Sequence, residues 1–216
     1  SLATLALITG CSKSDDDTTV TDFNTTKNTA ISDFVNKIAL PAYLELKTKA
    51  AVLNTAIINL NTTTTEDNLT VAKNAWRDMR STWEKCEGFL FGPVDADEYD
   101  PETDTWPVNF TDMDALLASA QPLTPADIEA LTSRSLKGYH PIEYILWGQG
   151  GTRTAASLTA RQKEYVVSLS IHLKSQADQL YNSWVASGGN YANRFLTAGT
   201  GSTDFVKKQD AFLAIT

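Results

Sequence analysis

The sequence predicts an all-α protein, built as a bundle of long antiparallel helices. Apolar residues recur at a spacing of three and four over long windows, no stretch alternates in the manner of a strand, and no solenoid-length repeat is present. Such amphipathic helices bury their stripes against one another, which is the bundle solution. Of the 216 residues, 42% are hydrophobic and 20% charged, enough apolar material for the core of one large domain. The formal net charge of -8 repels phosphate and argues against a nucleic-acid partner. Cations and basic peptides suit this surface better.

The chain opens with a short apolar run, Leu2 to Ile8, ending at Ile8-Thr9-Gly10-Cys11. This resembles a bacterial lipobox, in which the cysteine is lipidated and becomes the mature N-terminus. Residues 1–11 are therefore expected to be the remnant of a lipoprotein signal, with Cys11 as the lipid anchor. The acidic Ser14-Asp15-Asp16-Asp17 resembles the export signal that follows the lipid cysteine in some Bacteroidetes lipoproteins. Together they imply attachment to the outer membrane at the cell surface, with a periplasm-facing anchor as the alternative. With Cys11 lipidated, Cys86 has no cysteine left to pair with, so packing and capping must hold the fold.

Residues 12–30 are polar and read as a flexible tether, with the helical domain spanning 31–216. Ser32 can cap a first helix whose apolar positions run from Phe34 through Ile38, Leu44, Val52 and Ile57 to Leu60, kinked at Pro41. A polar turn at 61–64 leads to a second helix from Thr65 to Leu90, with the narrow stripe Leu69, Ala72, Trp76, Met79, Trp83 and Leu90. Gly92-Pro93 stops it. The stretch from Val94 to Phe110, carrying Trp106-Pro107, is too long for an idle connection and is expected to be a packed functional loop. Its acids Asp95, Asp97 and Asp100 lack the Gly and terminal Glu of a calcium loop and read as solvated. Short helices follow near 112–120 and after Thr124-Pro125, then Pro141 to Trp147 closed by Gly148. A long helix runs from Ser157 to about Ala186 and ends at Gly188-Gly189. The periodic pattern from Phe205 stops at Thr216 before it can bury anything, which reads as a domain incomplete at its C-terminal end.

With only His140 and His172 as histidines, a His-Glu-x-x-His zinc motif is excluded, and no Gly-x-Ser-x-Gly elbow is present. His172 lies at the edge of its helix's apolar stripe and reads as a boundary residue. At ~100° per residue, Arg80, Trp83 and Glu87 all fall within about 40° of Trp76, and Glu84 at about 80°. Charged groups in a buried stripe imply either an interior ion pair or a polar site lined by Arg80, Glu84 and Glu87, and the helix alone leaves both open. His140 and Glu143 lie one turn apart, a spacing that suits two ligands on one ion. It equally suits His140 as the cap before Pro141, with Glu143 answering the helix dipole.

Trp76, Arg80, Trp83-Glu84, Glu87 and Phe91-Gly92-Pro93, then Trp106-Pro107, then Gly138-x-His140-x-x-Glu143-Tyr144 with Leu146-Trp147-Gly148, together resemble the imelysin family. The resemblance implies paired helical bundles with a site between them, of which this chain would lack most of the second. It implies His140, Glu143, Glu84 and Glu87 as metal or ligand residues, lined by Arg80, Trp76, Trp83, Trp106 and Gly138. Three functions follow as expectations. One is capture of a divalent metal, iron before zinc, or of a small ligand, in uptake with a transport partner. Another is a metallopeptidase using Glu143 or Glu84 as the catalytic carboxylate, although one imidazole is a thin set for catalytic zinc. The last is a structural or interaction protein whose buried charges only fix helix register.

Overall fold

The computed structural model describes residues 23–216, and every element among them is helical. The lipobox, Cys11 and the acidic signal lie outside the described residues. The first rod is α1 (Phe23–Asp33), a π-helical turn over Phe34–Ala39 and α2 (Leu40–Thr62). Pro41 is the local cause of that turn. It has no N–H to donate, and its ring collides with the carbonyl four residues back, so the backbone widens just before it.

The rod starts eight residues earlier than the polar composition of 12–30 suggests. Nothing in α1 itself stabilises it, since Ile31 is its one buried residue. Its partner is α11 (Lys208–Ala214): Phe23 stacks edge-on to Phe212 at 6.0 Å, and Ala211 is fully buried. The expectation that the segment after Phe205 buries nothing is therefore corrected. Tertiary docking of two weak segments orders both, which neither pattern could show alone.

A short turn folds α3 (Glu66–Cys86) back against α2, and Thr65 caps it by accepting from the Asn68 backbone N–H. Its buried face is Leu69, Ala72, Trp76, Met79, Trp83 and Cys86. The expected continuation to Leu90 is not helical in the same sense: Glu87–Phe89 is a 3-10 turn and Leu90 is exposed. Three positions of the expected first stripe, Ile38, Leu44 and Val52, also face outward.

The stretch Val94 to Phe110 is largely helical, with α4 (Pro93–Ala96) and α5 (Tyr99–Thr103) inside it. Then come α6 (Phe110–Ala118), α7 (Pro125–Glu129, opened by a Thr124/Asp127 capping box) and α8 (Tyr139–Trp147). The long α9 (Ala160–Trp184) starts at a Thr159/Gln162 capping box, and α10 (Tyr191–Leu196) follows. α2 is the central rod, flanked by α3 and α9, while α8 lies between α3 and α9 and closes the bundle. One end is sealed by Phe34, Tyr43, Phe89, Trp184 and Phe195. Among the described residues no helix is long and apolar enough to cross a membrane.

Candidate cation site

The start of α8 decides the register of its side chains. Gly138 is the N-cap, at φ +92°, so His140 is the second helical residue and not the cap. A Cβ at Gly138 would run into the backbone carbonyl of Thr103, so glycine is required both by the positive φ and by this contact. Pro141 falls in the first turn, where its missing N–H costs no helical bond. The result frees the His140 imidazole from capping and presses the end of α5 against the start of α8.

That close approach delivers Asp104, which follows α5, onto the charged face of α3. Asp104 Oδ2 accepts from Arg80 Nη1 and, at 2.8 Å, from the Trp83 indole N–H. His140 Nε2 lies 3.1 Å from Asp104 Oδ1. This is ion-pair distance but off the line of a hydrogen bond, and Oδ1 is buried with no hydrogen-bond partner. The other imidazole nitrogen, Nδ1, is 3.1 Å from Glu143 Oε2. Arg80 Nη2 reaches Glu84 at 2.7 Å, on the outer side where Glu84 is half exposed. Trp106 packs on His140 at 4.7 Å between ring centroids, and Trp76 donates to the Tyr139 carbonyl at 3.0 Å.

Arg80, Trp83, Glu143, Trp106 and His140 thus converge, with Asp104 at the hub. Sequence reasoning did not single out Asp104: it carries no motif, and its only local signal is Trp106-Pro107 two residues on. Trp76 supports the backbone of α8 from behind. Glu84 stands at the rim, tied to Arg80.

Glu87 and Asp100 also approach Asp104, and one oxygen of each of the three carboxylates lies within 4.8 Å of the others. Asp100, expected to be solvated, is half-buried here. Crowded carboxylates cannot all keep their charge cheaply. Burial, then the neighbouring Glu84 and Asp104, push Glu87 up to about 7 against the pull of Arg80. Burial and the charge of Asp104 likewise raise Asp100. Burial opposes ionisation of Asp104 too, but the facing His140 imidazole and the N–H groups of Arg80 and Trp83 prevail and hold it at about 2. Burial works against a charged His140, yet Asp104 and then Glu143 hold its pKa above the ordinary value.

The three carboxylates, one of which also carries a buried oxygen without a hydrogen-bond partner, form a set suited to a hard cation that prefers oxygen ligands. His140 presents both nitrogens to carboxylates, so it stands beside this set as a charged clamp. To act as a ligand it would first have to release one of them.

His172, expected at the boundary, is instead fully enclosed: its Nε2 lies 3.1 Å from Glu129 and 3.4 Å from Glu102. Burial, outweighing the attraction of Glu129, lowers its pKa. Lys137 is buried against Glu102, so this second acidic group already contains its own cation. Among the described residues, no group of three ligand atoms within 4.8 Å contains both histidines.

Residues 39–215 match the Imelysin family. The chain belongs to the imelysin family. This imelysin is 32% identical over 177 residues to iron-regulated protein A of Synechococcus elongatus, covering 82% of the chain but only 46% of that relative. The chain thus spans about half the length of the curated relative it matches. Among solved structures, a protein named as an iron-regulated protein A precursor from Parabacteroides distasonis superposes with a TM-score of 0.78 at 24% identity, covering 88% of this chain and 55% of that one. An imelysin-like protein from Psychrobacter arcticum gives 0.66 at 18% identity, covering 89% and 60%. These two likenesses establish the helical fold.

Proposed function

We propose that this imelysin captures a metal cation, iron by preference, as cargo at the carboxylates of Glu87, Asp100 and Asp104. One observation carries the reading: three carboxylates converge beside an orphaned buried oxygen, and Glu87 is left in need of either a proton or a cation. The name of the Synechococcus relative supports iron among hard cations. Arg80 and His140 hold Asp104 in place, and Glu143 holds His140. Uptake at the outer membrane, through an anchor at Cys11 and with a transport partner, is the setting that the lipobox-like sequence supports. Peptidase chemistry finds less support, because the two histidines serve separate carboxylate groups.

Isothermal titration with Fe(II) under anaerobic conditions, and with Mn(II) as a redox-stable stand-in, tests the reading. One ion per chain is expected, with affinity at least tenfold weaker in Asp104→Asn and Asp100→Asn. Absence of binding by the wild-type chain, or equal affinity in both variants, would falsify it. The anchor is tested separately by incorporation of a fatty-acid analogue in cells, which should be lost in Cys11→Ser.

A further inference from the structure

Next to the carboxylates lies a cavity of about 620 Å3 that shares Trp106, His140 and Glu143 with the site but is not lined by Asp104. Its walls are the rings of Trp106, Phe110, Tyr144 and Trp147, and its titratable groups are the carboxylates of Asp114 and Glu143 and the imidazole of His140, which Glu143 and Asp104 already pair. No lysine or arginine lines it. Trp106 is 65% exposed and Phe110 44%, so two large π surfaces face water. Phe110 meets Tyr144 at 4.9 Å between centroids, with the planes tilted by 46°. Trp147 already holds the Arg77 guanidinium 5.0 Å from its ring centroid and the Lys73 ammonium at 5.7 Å. The rings left for a ligand are therefore Trp106, Phe110 and Tyr144.

We propose that this cavity binds an organic cation, an alkylammonium or guanidinium group. Aromatic rings attract a weakly hydrated cation through their negative faces, and a nearby carboxylate supplies the counter-charge. Glu143 is shared with His140, but Asp114 has neither an ion pair nor a hydrogen bond among the described residues, so its charge is uncompensated within the fold. An anionic ligand would face both carboxylates. A neutral apolar ligand would leave Asp114 unanswered beside it. The cavity is large enough for a small amine or the end of a basic side chain, and placement against the rings and Asp114 requires no metal. The inference therefore stands apart from the cation reading above.

The test compares choline with its neutral isostere 3,3-dimethyl-1-butanol by ligand-observed NMR titration of the wild-type chain at constant ionic strength. Saturable choline binding is expected, with the alcohol at least about tenfold weaker. Trp106→Ala and Asp114→Asn should each weaken choline by about tenfold while far-UV circular dichroism stays unchanged, both positions being exposed. Asp104→Asn should keep choline affinity within about threefold while binding the metal at least tenfold more weakly, which separates failure of one reading from failure of the other. Equal binding of choline and the alcohol would show a merely apolar groove and overturn the proposal. So would no saturable choline binding, or full choline affinity in Asp114→Asn.

Discussion

Replacing Asp104 by Asn tests the hub of the site. The side chain keeps its size and can still accept from Trp83, but the charge facing Arg80 and His140 is gone. The folded protein holds the Asp104 carboxyl at about 2, against an ordinary value of 3.8. At ~1.4 kcal/mol for each tenfold change, that preference contributes about 2 kcal/mol of stability at neutral pH. The group is almost fully enclosed, with 6% of its side chain exposed, so little of this is lost to solvent screening. For a domain of this size the melting temperature should fall by about 4–8 °C. The sign of the pH dependence follows from the lowered value: the contribution is complete above 3.8 and is lost as pH falls through 2. Urea unfolding of both proteins at pH 7 and pH 3, followed by circular dichroism, should therefore show a gap that is wide at neutrality and narrower in acid. A gap that is absent at pH 7, or equally large at both pH values, would refute the account of Asp104 as the charge that Arg80 and His140 hold in place.

Glu87 should behave in the opposite sense. Its folded value of about 7 lies above the ordinary 4.5, so its contribution is full below 4.5 and lost as pH rises through 7. Without metal, Glu87→Gln should melt higher than wild type at pH 8 and equally near pH 4.5, and added Mn(II) should close the gap at pH 8 by stabilising the wild type. Gly138→Ala combines a φ of +92° with a collision against the Thr103 carbonyl. A loss of more than about 2 kcal/mol is expected from thermal unfolding, with weakened ion binding because Thr103 precedes Asp104. Lys137→Met takes the buried ammonium from Glu102, which keeps Arg134 at 3.3 Å and His172 at 3.4 Å, and should cost about 2 kcal/mol by urea unfolding, part of it recovered in Lys137→Met/Glu102→Gln. Failure of the double variant to recover would mean that Lys137 acts through packing instead.

The helices were legible because their punctuation is local. Thr65, Thr124-Pro125 and Gly148 mark starts and stops whose chemistry lies within three or four residues, whereas Gly92-Pro93, expected to stop the second helix, opens α4 instead because α3 has already ended at Cys86. The charged face of α3 was legible for the same reason, since ~100° per residue places Arg80 and Glu87 beside Trp83 without any knowledge of the fold. What lay opposite that face was not. Asp104 reaches it only because Gly138 lets α5 and α8 touch, a contact between segments more than thirty residues apart. His172 was misjudged on similar grounds: its own helix shows polar neighbours, while the elements that enclose it bring Glu102, Glu129 and Lys137 from elsewhere in the chain. Gly138 was noticed as part of a motif, but its role as the cap, which moves His140 from the cap to the second helical position, depends on a backbone angle that sequence does not display. α1 was missed because its order derives from docking on α11, not from its own composition.

The most direct measurement is anomalous diffraction from crystals soaked in Mn(II) or Fe(II). The account predicts a single strong peak bounded by carboxylate oxygens of Glu87, Asp100 and Asp104, with His140 still facing Asp104. A peak beside His172 and Glu129 instead, or no ordered ion at saturating metal, would contradict it.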